Sequence, residues 1–158
     1  MPVKHKVEVI DKGFAAYLKR NRALKNKFVG VGLYGSGGTP ETDVASRGAV
    51  HQLGSSDGRI PRRPFMSQSF DKKAKILYVF GTGLYKEITS GKMSVNTGLS
   101  KLGELHVNQI KLGIVNGNFK PLSAYTIAKK KSTKPLIDTS VMMNSVKYKI
   151  MTIRGFKK

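Results

Sequence analysis

Residues 94–117 read SVNTGLSKLGELHVNQIKLGIVNG, and this stretch sets the architecture. A helix follows Ser94, carries Leu99, Leu102, Leu105, Ile110 and Ile114 inward at helical spacing, and has Gly117 placed to close its C-terminus. Its interior glycines run against that assignment. Gly98, Gly103 and Gly113 each cost about 1 kcal/mol relative to alanine inside a helix, so close backbone packing against another element is the expected compensation. The element to pack against lies just upstream. Ser69 or Asp71 can cap a helix whose Leu77, Phe80, Leu84 and Ile88 keep to one stripe, with Lys72, Lys73, Lys75 and Lys86 outside it and Gly91 at its end. The two segments predict a hairpin of long helices.

Strand signals flank this hairpin on both sides. Val3, His5, Val7 and Val9 alternate with Lys4, Lys6 and Glu8, as in an edge strand. Asp11 can then cap a basic amphipathic helix bearing Phe14, Tyr17, Leu18 and Leu24, and a second strand is expected from Phe28 to Tyr34. Near the other end Val146, Tyr148 and Ile150 alternate with Lys147 and Lys149 and continue to Ile153, a terminal strand with one basic face. Residues 35–46 and 54–64 read as mobile loops, with one or two helical turns over 44–53 between them. A short helix over 122–130 precedes Pro135, which forces an extended connection, and Asp138 can cap a further turn. The fold class expected is α+β: a small antiparallel sheet packed against a long helix or helical hairpin, with extended loops or arms. One domain over 1–158 is the default for this length, with 1–43 unanchored and a disordered tail at 156–158.

Composition limits the chemistry. Twenty-nine Lys and Arg against nine Asp and Glu give the 158-residue chain a formal charge of +20, which calls for a polyanion or an acidic protein surface nearby. The absence of cysteine excludes disulfides, thiolate metal sites and a cysteine nucleophile. No apolar run is long enough for a membrane span, and the first eight residues do not resemble a signal peptide, so a cytosolic site of synthesis is expected. Without tryptophan, an aromatic platform for stacking bases is disfavoured.

Gly30, Gly32 and Gly35 spell G-x-G-x-x-G after a strand, yet Ser36, Gly37, Gly38, Thr39 and Pro40 continue the loop where a dinucleotide site needs a helix to begin. Gly91 and Lys92 are followed by Met93, which rules out a phosphate loop of the P-loop type. His5, His51 and His106 stand apart from one another and from paired carboxylates, and are expected to be solvated or capping. Glu41 and Asp43 are the one close acidic pair, on a loop. No catalytic constellation, metal site or cofactor is therefore expected. From Lys111 to Lys158 there are eleven Lys or Arg and one acid, Asp138, which predicts an electropositive surface meeting DNA phosphates or an acidic protein without reading sequence.

Two longer patterns remain. Phe119-Lys-Pro-Leu-Ser-Ala-Tyr-Thr-Ile-Ala-Lys is followed by Pro135-Leu-Ile-Asp-Thr-Ser-Val-Met-Met-Asn-Ser. Upstream stand His51-Gln-Leu-Gly and Ile60-Pro-Arg-Arg-Pro-Phe. In order and spacing, over residues 44–151, this resembles the virion-morphogenesis proteins of tailed bacteriophages, of the Mu G-like tail-completion type. There F-x-P-L-S-x-x-T-I-x-x-K precedes P-L-x-D-T-G-x-L-x-x-S, and H-E-x-G with I-P-x-R-P-F lies upstream. Two positions depart from the pattern. Gln52 stands where glutamate is usual, and Ser140 where glycine is usual, which puts the backbone of the turn at 139–141 in question.

The resemblance implies a structural protein of the neck or tail end, and no enzyme. Six-fold or twelve-fold rings of this chain would join the portal or connector-adaptor protein to the tail terminator or tail tube, in the virion neck and, during assembly, in the host cytoplasm. On that reading Ile60, Pro61, Arg63, Pro64 and Phe65 form an anchor between subunits, and Lys129, Lys130, Lys131, Lys134, Lys147 and Lys149 face packaged DNA or acidic neighbours. The alternative is a free-standing, sequence-independent nucleic-acid-binding module, which the basic C-terminal third favours and the lack of RNA-binding signatures disfavours.

Overall fold

In the computed structural model, which describes residues 11–35, 43–130, 133–137 and 140–153, the glycines of the quoted stretch explain the fold. Ser94 caps a 22-residue helix, α4 (Val95–Asn116), by accepting from the Thr97 amide at 3.1 Å. A Cβ on Gly98 would collide with Ile88, one on Gly113 with Ser69, and one on Gly103 would sit 2.9 Å from the Tyr148 Cβ. The first two contacts belong to the 26-residue helix α3 (Phe65–Ser90) and the third to strand β2 (Val146–Thr152). α4 is thus squeezed between its hairpin partner and the sheet, and the missing side chains let both approach. Gly91, at φ 87°, closes α3, and the Lys92 amide reaches back to the Glu87 carbonyl at 2.9 Å. Gly117 closes α4 with extended backbone instead, and leaves room for the Phe119 ring to fold back on the helix end.

The sheet is a two-stranded antiparallel ribbon of β1 (Lys27–Leu33) and β2, paired from Lys27 with Thr152 to Leu33 with Val146. Alternation sends Val31, Leu33, Val146 and Tyr148 onto a core built around Phe65, Val107, Ile110, Ile114 and Leu136. The opposite face pairs Gly30 with Lys149 and Gly32 with Lys147. A Cβ on Gly30 would meet the tip of Met151, and the Tyr34 ring carries the Lys149 ammonium 4.4 Å from its centre. Gly30 and Gly32 of the glycine motif therefore serve the outer face of a ribbon, and the next helix among the described residues is Val44–Leu53.

Four expectations are corrected. Helix α3 starts at Phe65, not after Ser69 or Asp71; Ser69 lies buried within it and its hydroxyl donates to the Phe65 carbonyl at 2.6 Å. The signal was hidden because the cap comes from another helix: the Gln52 side-chain oxygen accepts from the Met66 amide at 3.0 Å, and its NH2 donates to the Ser67 hydroxyl at 2.7 Å. Phe80 is 38% exposed and does not join the Leu84 and Ile88 stripe. Residues 54–64 form no extended arm: Ser55 and Ile60 bond through both amides and Asp57 holds Ser55 and Arg59, a closed turn tied to the preceding helix by the Arg63 amide on the His51 carbonyl at 2.7 Å. That helix, α2 (Val44–Leu53), is capped by Asp43, which shortens the loop expected over 35–46.

Helix α1 (Phe14–Lys25) has its capping carboxylate where expected, with Asp11 accepting from the Gly13, Phe14 and Ala15 amides. It buries no residue, and Phe14 is 66% exposed. Polar contacts hold it in place, among them Arg20 Nε on the Thr89 carbonyl at 3.0 Å and the Tyr85 hydroxyl on Asn21 at 2.9 Å. Two short helices, α5 (Ala124–Lys130) and α6 (Val141–Asn144), complete the described chain. The expected edge strand at 3–9 with His5, the loop at 36–42 with Glu41, Lys131, the Asp138 cap and the tail at 156–158 lie outside the described residues.

Candidate functional site, a basic cleft

The chain connections that build the core also enclose a cleft of about 650 Å³, walled by α2, the 55–63 turn, the segment entering α5, and the start of α6. Five cations line it, Arg47, Arg59, Arg63, Lys120 and Lys130, with no carboxylate among the described lining residues. Ile60, Pro61, Leu122, Leu136, Val141 and Met142 supply an apolar surface between them.

Arg63 is the centre of the arrangement. It is only 3% exposed, and its Nε donates to the Lys120 carbonyl at 3.2 Å. A guanidinium has five N–H donors, and a buried charge is costly unless an opposite charge meets it. Among the described residues no carboxylate lies within ion-pair distance of Arg63; the one ion pair formed there joins Arg59 to Asp57 at 3.2 Å, on the exposed rim. Burial pushes the guanidinium below its usual pKa. His51 is likewise held below its ordinary value, first by burial and then by Arg63, Lys130 and Arg47, and its buried Nδ1 makes no hydrogen bond among the described residues.

Backbone strain gathers at the same place. Leu136 at φ 65° and Ser140 at φ 59° are the non-glycine residues in the left-handed region among those described, and both line the cleft. Such a conformation costs about 1–2 kcal/mol without glycine and persists only where its surroundings enforce it. Ser140, standing where the resembled pattern has glycine, keeps a glycine-like backbone.

The expected anchor residues are divided by the fold. Phe65 is fully buried in the chain's own core and Arg63 lies inside the cleft, so neither is a surface anchor; Pro64 precedes α3 as its N-cap, and Ile60 and Pro61 stand at the cleft wall. The lysines are not one cluster either. Lys129 is exposed, Lys130 lines the cleft and donates to the Ile137 carbonyl at 2.9 Å, and Lys147 and Lys149 occupy the outer face of β2. Lys134 is exposed between them in the chain, and Lys131 lies outside the described residues. His51 and His106 are neither solvated nor capping: each is half-buried, with one buried ring nitrogen that has no hydrogen-bond partner among the described residues, and burial lowers the pKa of both. Sequence reasoning missed Arg47, which stands in no motif, and Lys120, which falls at the unspecified position of the quoted F-x-P-L segment; only the chain path brings both into the cleft with Arg63.

Among the described residues no group of three His, Asp or Glu could hold a metal ion, and no helix is long and apolar enough to cross a membrane. Searches of protein-family models, curated proteins and solved structures found no match to the chain.

Proposed function

We propose that the protein is a structural component of the head-to-tail joining region of a tailed bacteriophage particle, acting by assembly into a ring and not by catalysis. One observation carries the reading. The four short segments that bear the resemblance are far apart in sequence, yet His51, Ile60, Pro61, Arg63, Pro121, Leu122, Thr126 and Leu136 all line a single cleft. Motifs that converge in space behave as one unit, which favours a common origin for them over chance matches. The surface supports assembly as well: among the described residues sixteen large apolar side chains are exposed and nine are buried, and Ile76, Tyr78, Val79 and Phe80 crowd one segment of α3.

The exposed Lys147 and Lys149 on β2 favour a second reading, a sequence-independent nucleic-acid-binding module. The two are separated by measuring mass by light scattering and DNA affinity across a salt series, for wild type and for a Lys129→Ala, Lys130→Ala, Lys131→Ala variant. A monomer or ring with weak, sequence-blind binding that falls steeply with salt, weaker still in the variant, is the result expected of the joining-region protein. Tight, sequence-selective binding by the monomer would replace that reading with the second.

A further inference from the structure

We infer that the basic cleft is the docking site for an acidic segment of a partner protein, one that carries apolar side chains beside its carboxylates. The inference stands apart from the head-to-tail reading, because it requires only the cleft.

Charge identifies the first half of the ligand. Arg47, Arg63, Lys120 and Lys130 converge with no carboxylate among the described lining residues; Asp57 meets Arg59 on the rim, and the exposed Asp43 lies near enough to Arg47 to feel its charge. Arg63 is the built element: a residue 3% exposed whose Nε donates to the Lys120 carbonyl, so that its guanidinium is oriented before any ligand arrives. Its fork suits the two oxygens of a carboxylate, and the low dielectric of the site strengthens the pair. The strained backbone at Leu136 and Ser140 holds the facing wall.

Shape and lining identify the second half. Ile60, Pro61, Leu122 and Met142 lie among the cations, so a ligand that fills the cleft must bury apolar surface as well as charge. A volume of about 650 Å³ suits a few side chains of an inserted segment. Nucleic acid fits less well. Single strands bind by stacking bases on aromatic rings, and the described lining residues include no Phe or Tyr. Duplex phosphates lie on a broad convex surface and do not reach a recessed guanidinium. A second copy of this chain is also a poor occupant, since it brings 29 bases for 9 acids.

The test uses the full chain and fluorescence polarisation with three labelled probes: a short peptide alternating aspartate and leucine, the same peptide with serine for leucine, and an oligothymidylate of equal charge. Two charge-reversed proteins are compared, Arg47→Glu with Lys120→Glu in the cleft and Lys147→Glu with Lys149→Glu on β2. The aspartate-leucine peptide should bind wild type at least about tenfold more tightly than the serine peptide, and the cleft variant should lose about tenfold or more where the β2 variant loses little. In wild type, titrating this peptide should shift the His51 imidazole resonances saturably, a readout that needs no variant to fold. Equal losses in both variants, an unmoved His51, or an oligothymidylate that binds more tightly than the peptide and fails only with the cleft variant would each overturn the inference.

Discussion

At the scale of single residues, the informative groups are those whose polar atoms the fold has isolated. Arg63 and His51 sit side by side in the cleft, one charged and one kept neutral. Burial, reinforced by Arg63, Lys130 and Arg47, holds the His51 imidazole below its ordinary 6.5, and burial lowers His106 in the same direction. The unfolded chain therefore takes up protons near that value while the folded chain resists them, so stability falls as pH is lowered through 6.5. Urea midpoints measured from neutral to mildly acidic pH, above the carboxylate range, should decline, and His51→Leu should flatten the decline. An unchanged slope would show that His51 is not the group responsible. Gln52 caps α3 from outside it: its amide oxygen accepts from the Met66 amide, satisfying a donor that the first turn of the helix leaves free.

Between elements, the glycines of α4 mark three different contacts, and each would respond differently to a methyl group. Gly103 faces the Tyr148 ring and Cβ across the helix–sheet junction, too close for a methyl group unless something shifts. Gly103→Ala gains about 1 kcal/mol of helix propensity but forces β2 outward, and overpacking of this kind costs about 1–3 kcal/mol, so it should lower stability or leave it no better. Gly83, inside α3 with nothing near its Cβ direction, has no such partner, and Gly83→Ala should stabilise by about 0.5–1 kcal/mol. Denaturant midpoints of the pair check the contrast. The hairpin, its caps at Ser94 and Gly91 and the alternation of β2 were legible in sequence because each rests on local chemistry. The true start of α3 was not, because its cap is contributed by Gln52, thirteen residues before the helix begins.

At the scale of the molecule, one core and one cleft share a wall. Phe65 is completely buried among Val107, Ile110, Ile114, Leu136 and Val146, so Phe65→Ala should cost about 3–5 kcal/mol, a large part of the stability of a domain this size. Ile60→Ala, at the exposed cleft wall, should change the midpoint by no more than about 0.5 kcal/mol. Equilibrium unfolding of the two variants separates a core residue from a surface one that neighbour in sequence. If Phe65→Ala left the isolated protein as stable as wild type, the core described for it would be wrong.

The sequence by itself determined the α+β class, the helical hairpin, the basic outer face of β2 and the strongly positive net charge, since periodicity, capping and charge are properties of neighbouring residues or of their sum. It could not show that Arg47, Arg63, Lys120 and Lys130 line one cavity, nor that Phe65 belongs to the core while Arg63, two residues before it, meets the cleft. Those facts arise from distant segments packed together, and burial, desolvation and the neighbourhood of charges exist only once the chain has closed on itself.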